Sequence, residues 1–314
     1  MIKAETYKNR ENFFQRTKTD IKKNYALYLI FLPVLIYYLI FHYGPMYGLV
    51  IAFKDYRPIQ GIFGSEWAGL AKFKEIFESP LFFRALKNTL NISVQSIIFS
   101  FPAPIILALL INEIENIRFK RVVQSISYMP HFISLVVVAG MIRVFVSDVG
   151  FINRITTALG MTTGENMLSV KEYFVPIYVI SGLWQEVGWG TIIYLSALSS
   201  IDKELYEAAT VDGANKFQQV IRITIPGIMS TIIMLFVLKI GGLMSVGYEK
   251  IILLYNPVIY DSADVISSFV YRKGLLEADY SFSTAVGIFN SVINFILLIT
   301  ANWISRKFDE SSIW

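Results

Sequence analysis

Long apolar stretches recur six times along the chain, and polar residues gather in the gaps between them. Their limits are 25–43, 88–112, 124–147, 174–198, 227–246 and 282–304. Each is long enough to cross a hydrocarbon core of ~30 Å at ~1.5 Å per helical residue. Runs such as Leu135-Val136-Val137-Val138 are apolar at consecutive positions, whereas strands of a membrane barrel alternate. A backbone in lipid must satisfy its hydrogen bonds internally, so these stretches read as helices. The pattern predicts an all-α integral membrane protein with six transmembrane helices. Pro33, Pro102 and Pro104 fall inside the spans and predict kinks of the kind that open a cavity in a bundle. The chain divides into a tail (1–24), a first helix with a long loop (25–87), a five-helix core (88–304) and a second tail (305–314).

Composition supports lipid as the solvent: 54% of the 314 residues are hydrophobic and 17% charged, with a mean hydropathy of +0.52. The net charge of +4 is spread between the apolar runs instead of forming the dense basic patch of a nucleic-acid binder. With no cysteine in the chain, disulfides and thiolate metal sites are excluded. His42 and His131 are far apart and lack carboxylates at ligand spacing, so they read as interfacial or packing histidines and no metal is expected. The first run is too long and bulky for a secretory signal and reads as a retained anchor.

Basic flanks set the orientation. Lys3, Lys8, Arg10, Arg16, Lys18, Lys22 and Lys23 precede the first span, and Arg118, Lys120 and Arg121 precede the third. Both regions are expected in the cytoplasm, as are 199–226 and the tail carrying Arg306 and Lys307. The segments 44–87, 148–173 and 247–281 then face outward.

The cytoplasmic segment 201–226 reads as two short helices joined at a glycine. Asp202 is placed to cap the first, with Glu204 in its positive first turn. Leu205, Ala208 and Ala209 share a face, and Gly213 permits the left-handed turn that ends the helix. Phe217, Val220 and Ile221 repeat the spacing, and Pro226 suits the first turn of the next span. Small residues at the bend, Ala208, Ala209 and Ala214, let a partner backbone approach closely, so the elbow reads as a docking surface.

At these residues the chain resembles the permease subunits of ABC importers. Their hallmark is Glu-Ala-Ala, three residues, Gly, nine residues, then Ile-x-Leu-Pro. Here it stands as Glu207-Ala208-Ala209, Gly213 and Ile223-Thr224-Ile225-Pro226, with Ile for Leu. The resemblance covers nearly the whole chain from Tyr43. Tyr43-Gly44-Pro45-Met46-Tyr47-Gly48, Phe101-Pro102-Ala103-Pro104, Tyr128-Met129-Pro130-His131-Phe132 and Trp184-Gln185-Glu186-Val187-Gly188-Trp189 look like the polysaccharide or oligosaccharide branch. It implies a type I importer fold in a bacterial cytoplasmic membrane, with both termini cytoplasmic. It also implies a second homologous permease, two ATPase subunits, an extracytoplasmic substrate-binding protein and a glycan substrate. Glu207, Ala208, Ala209, Asp212, Gly213, Ala214 and Pro226 would then belong to the coupling helix between spans 4 and 5. The chain holds no GxxxxGK[ST] phosphate loop, so it is expected to bind no cofactor, and ATP and Mg belong to the partner ATPases.

Charged residues at membrane depth each call for an explanation, since insertion costs about 2.5 to 3.5 kcal/mol. Arg143 is near a span end and can snorkel. Glu186 and Lys239 each lie about 18 Å from a span end, from opposite faces, and so share a depth. They either pair or face a polar translocation path. Trp184 and Trp189 offer aromatic platforms for sugar rings, but point about 140° apart, so either one of them lines a path or both pack against lipid or a neighbouring helix. Asn290 and Asn294, at i and i+4, serve as interhelical partners or, for Asn290, as a substrate ligand. Two other classes compete with a passive half-channel. One is a membrane enzyme using carboxylates such as Glu186 and Asp202, which lie a leaflet apart with no nucleophile–base set in view. The other is an ion-coupled transporter with Glu186 as proton carrier.

Overall fold

The computed structural model describes residues 19–308. Lys3, Lys8, Arg10, Arg16 and Lys18 lie outside the described residues, as does 309–314. The first apolar stretch forms one rod, Tyr25–Phe53. It starts as α1 (Tyr25–Tyr38), loosens to a π turn over Leu39–Tyr43 and tightens to a 3-10 turn over Tyr47–Phe53. The expected end at Tyr43 is thus passed, because Pro45 stands at the start of a new helical turn, where its missing N–H breaks no bond. No residue of α1 is buried within this chain, and only the 3-10 end packs on the last helix.

Two antiparallel two-residue strands, β1 (Lys54–Asp55) and β2 (Glu66–Trp67), depart from the all-helical expectation, with Lys54 opposite Trp67. Helix α2 (Ala71–Glu78) follows, then α3 (Pro80–Ser100) and α4 (Pro102–Asn112), which together form a 33-residue rod. This span starts at Pro80, not at residue 88. Ser79 caps it, accepting from the Phe82 N–H at 3.3 Å, and Pro80 fits the first turn.

The third apolar stretch is not one helix. Helix α5 (Ile117–Tyr128) runs through a 3-10 turn over Met129–Phe132 and meets α6 (Leu135–Phe145) at a bend of 96°. Pro130 interrupts the hydrogen-bond ladder, Ile133 is extended (φ −79°, ψ 129°), and Ser134 caps α6 by accepting from Val137 N–H at 3.4 Å. After α7 (Phe151–Ala158) comes α8 (Lys171–Leu198), the 28-residue helix that packs against α3, α4 and α5.

The elbow comprises α9 (Lys203–Val211) and α10 (Lys216–Gln219), followed by a π turn over Val220–Thr224. The segment Lys216–Gly227 joins α11 (Met229–Gly241) at 62°, so the predicted fifth span is kinked and ends before residue 246. Short helices α12 (Tyr248–Leu254), α13 (Tyr260–Ala263) and α14 (Ile266–Tyr271) lead to α15 (Tyr280–Phe308). Among the described residues three helices are long and apolar enough to cross a membrane, or five if each bent pair is one span. α8 has the length as well, but Gln185 and Glu186 dilute its apolar character.

Three clusters of buried side chains hold the bundle. At the elbow end Ala108, Tyr194, Leu198 and Ile228 meet. At the far end Val138, Phe174, Val179, Ile251 and Leu254 join α6, α8 and α12. Phe82, Phe269 and Phe282 bind α3, α14 and α15. A polar knot braces the same end: fully buried Asp264 accepts from Arg272 at 2.7 and 2.5 Å and from Ser268 Oγ at 2.7 Å. These bonds push the Arg272 pKa up, since the charged guanidinium is the form they favour. Arg84 bridges to Asp261 at 2.9 Å, tying α3 to α13.

Candidate functional site

Tyr178, Gly182 and Glu186 recur at i, i+4 and i+8 of α8 and so lie along one stripe of the helix. That stripe, with Trp189, Ser96 and Lys239, lines a cavity of about 350 Å³. A second cavity of about 350 Å³ shares Ser96, Tyr178 and Lys239 with it. Lys239 on α11 therefore contributes to both.

Glu186 does not pair with Lys239. Its Oε2 lies 2.9 Å from Nδ1 of His131, at the break between α5 and α6. The His131 ring stacks on Trp189, with centroids 4.3 Å apart and planes 4° from parallel. Phe132 meets Trp189 edge-on at 5.8 Å. Gln185 Nε2 donates to the Ile133 carbonyl at 3.2 Å, one of the groups the break releases. Gly188 lets α5 and α8 touch: a Cβ there would stand 1.9 Å from the Ser127 carbonyl oxygen. The segment Trp184-Gln185-Glu186-Val187-Gly188-Trp189 is thus the seat on which Tyr128-Met129-Pro130-His131-Phe132 rests.

The other path candidates separate. Trp189 lines the cavity, while Trp184 lines neither and is exposed. Asn290 also lies off both cavities, half-buried, with its Oδ1 unpartnered. Asn294 accepts from Met244 N–H at 3.0 Å and donates to Ser245 Oγ at 2.9 Å, fastening the end of α11 to α15. Arg143 donates from Nε to the Leu253 carbonyl at 2.6 Å, joining α6 to α12.

At the opposite end of α8 the elbow is built from its caps inward. Asp202 accepts from Glu204 N–H at 3.0 Å and starts α9. Gly213 ends it at φ +79°. The Ala214 N–H reaches back to the Ala209 carbonyl at 2.9 Å and the Gly213 N–H to Thr210 at 3.1 Å, the paired bonds of a Schellman motif. Asn215 and Gln218 form a reciprocal capping box at 2.9 Å each way. Gln219, buried, donates to Thr210 Oγ1 at 2.9 Å, and Tyr206 Oη meets Thr224 Oγ1 at 3.0 Å, locking α9 to the π turn. The expected apolar faces are corrected here. Leu205, Phe217 and Ile221 are exposed, and the inward contacts come from Tyr206 and Gln219. Glu207, Ala208, Asp212 and Gly213 are exposed, Ala209 and Ala214 half-buried. A concavity of about 380 Å³ lies against Ala209, Asp212, Gly213, Ala214 and Arg222. Pro226 sits in the first turn of the short helix leading to α11.

Residues 100–310 match the family described as binding-protein-dependent transport system inner membrane component. The chain belongs to this family. It is 44% identical to Protein LplB of Bacillus subtilis (strain 168), over 94% of this chain and 92% of that one. It is also 44% identical to the polygalacturonan/rhamnogalacturonan transport system permease protein YteP of the same organism, over 92% and 90%. Among solved structures it matches a chain of a bacterial ABC transporter involved in the import of the acidic polysaccharide alginate, with 44% identity and a TM-score of 0.85, covering 93% of this chain and 99% of that one. The permease is accordingly a transport component and not an enzyme.

Three residues of this permease escaped the sequence reading in their roles. His131 packs, as expected of it, but on the charged and aromatic residues of α8. Gln185 stands inside the Trp184 to Trp189 motif and Lys250 inside the outward segment 247–281, and the sequence gives neither a role of its own.

Proposed function

We propose that this permease is one half of the pore of an ATP-driven importer, crossing the bacterial cytoplasmic membrane six times with both termini inside. In this reading the two bent pairs and α8 join the three apolar rods as spans. A second homologous permease completes the pore, two ATPase subunits hydrolyse ATP with Mg, and a binding protein delivers substrate from outside. α9 and its Gly213 turn serve as the coupling helix, with Glu207, Ala208, Ala209, Asp212, Ala214 and Pro226 presented to an ATPase groove. The exposure of Glu207, Ala208, Asp212 and Gly213 on and just after a helix capped at both ends supports that role.

The substrate is an acid-bearing oligosaccharide. The observation that carries this is the shared lining of one cavity by Trp189, Glu186 and Lys239. An indole face suits a sugar ring, a carboxylate accepts from hydroxyls, and an ammonium answers a uronate. Relatives named for polygalacturonan and alginate support the same class. The test is reconstitution of the four-part assembly in proteoliposomes with labelled oligogalacturonate and oligoalginate. Uptake that needs both ATP and the binding protein is expected; uptake driven by an ion gradient without ATPases would overturn the reading.

A further inference from the structure

Lys250 stands in the first turn of α12 and is only 8% exposed. Its ammonium donates to the Tyr178 carbonyl at 3.1 Å and lies 4.7 Å from the centre of the Tyr178 ring. Gly182, one turn further along α8, makes room for it: a Cβ there would come within 3.3 Å of Nζ. Tyr178 and Gly182 both line the cavity that holds Glu186 and Lys239. The buried ammonium is thus set behind the cavity wall at the one position of the stripe that has no side chain.

Packing alone does not explain a lysine here. An ammonium carries three donors, its hydrogen-bond partner is a neutral carbonyl, and the nearby carboxylate, Glu186, is engaged by His131. A methionine would fill the same length without desolvating a charge. Burial pushes the Lys250 pKa down to about 8, with Glu186 opposing the shift. Other ionisable groups on the elements around it are Tyr178 on α8, Arg143 on α6, Tyr271 and Arg272 at the end of α14, and Glu249 on α12 itself.

We propose that Lys250 is a specificity-determining residue for anionic solutes, its ammonium addressing a substrate carboxylate in the cavity across the gap that Gly182 leaves, in concert with Lys239. This rests on the acid-glycan reading above. A substrate carboxylate supplies a direct ionic partner where the ammonium has only a neutral carbonyl in hydrogen-bond contact, so a neutral solute gains nothing from the site.

The experiment is ATP-driven uptake of trigalacturonate by the full assembly in proteoliposomes, from pH 7 to pH 9. Lys250→Met is expected to raise KM about tenfold with kcat within about twofold, the signature of a lost charge-assisted contact. Gly182→Ala is expected to raise KM as well. In the unaltered permease KM rises with pH as the ammonium loses its proton, whereas Lys250→Arg keeps its charge and holds KM level. An unchanged KM in Lys250→Met, or an arginine variant that behaves like the methionine one, would overturn the proposal and assign Lys250 to packing. Should Lys250→Met fail to assemble, the pH profile of Lys250→Arg decides alone. If the unaltered assembly imports maltotriose and not trigalacturonate, the acid-glycan reading falls and takes this inference with it.

Discussion

Gly213 and Gly188 are required for opposite reasons, which makes them separable by mutation. At Gly213 the backbone is left-handed, φ +79°, while an added Cβ meets nothing within 4 Å. The penalty for a side chain is conformational, about 1 to 2 kcal/mol for alanine and more for a β-branched residue. Gly213→Val is therefore expected to unseat the turn after α9 without disturbing the buried clusters. Co-purified ATPase and uptake fall, while the unfolding midpoint of the helical bundle moves little; normal docking with normal uptake would remove the elbow from the coupling role. Gly188 instead lies against the Ser127 carbonyl, so Gly188→Ala must part α5 from α8. A loss of about 1 to 3 kcal/mol follows from overpacking, read as a lower midpoint and a weakened His131–Trp189 stack. Lys239 gives a third outcome: exposed and unpaired with Glu186, its change to Met should leave assembly intact and slow uptake of acidic oligosaccharide. The Asp202 cap and the Gly213 turn were legible because each is a local signal within a few residues of its own helix end. The His131–Glu186 pair was not, because 55 residues separate partners that only the fold brings together.

Hydropathy finds apolar helices but is blind to their direction. The stretch 124–147 is apolar throughout, and nothing in its mean signals that α5 and α6 meet at 96°. The local clue was Pro130 followed by Ser134, a ladder break and a cap four residues apart. The start of α3 was missed for a related reason: Arg84 and Lys87 read as loop charges, yet Arg84 is neutralised by Asp261 across the bundle. Element packing also sets a pH dependence. Lys250 joins α12 to α8, and its pKa falls to about 8 from 10.5. Between those values the unfolded chain holds the proton that the folded chain has released, so stability rises with pH; below pH 8 both states are charged and the burial penalty stands in full. The purified assembly is expected to gain on the order of 2 kcal/mol between pH 8 and pH 9.5, seen as a rising unfolding midpoint. In Lys250→Met the rise should vanish, and a slope unaltered by that change would place the titration elsewhere.

Across the whole molecule, the apolar surface is larger than this chain can cover. α1 buries none of its residues against the rest of the chain, and Tyr25, Leu29, Ile30 and Phe41 are each more than half exposed. Along α8 the exposed Trp184, Ile180 and Ile193 face away from the buried clusters. Lipid can solvate the outer rows, but a charged cavity lining such as Glu186 and Lys239 needs water or another polar wall to close the path. In the proposed reading one bundle also presents one elbow, and so one ATPase site. The permease is therefore expected to be stable only as part of a heteromer. Expressed alone it should aggregate or be degraded, and with a second permease and the ATPase it should accumulate. Native mass spectrometry of the purified complex should show one copy of this chain, one different permease and two ATPase subunits. A stable transporter built from this chain alone, with substrate-stimulated uptake, would contradict the half-pore architecture. A complex holding two copies of it would contradict only the heteromeric pairing, because two identical bundles also offer two elbows and two half-paths.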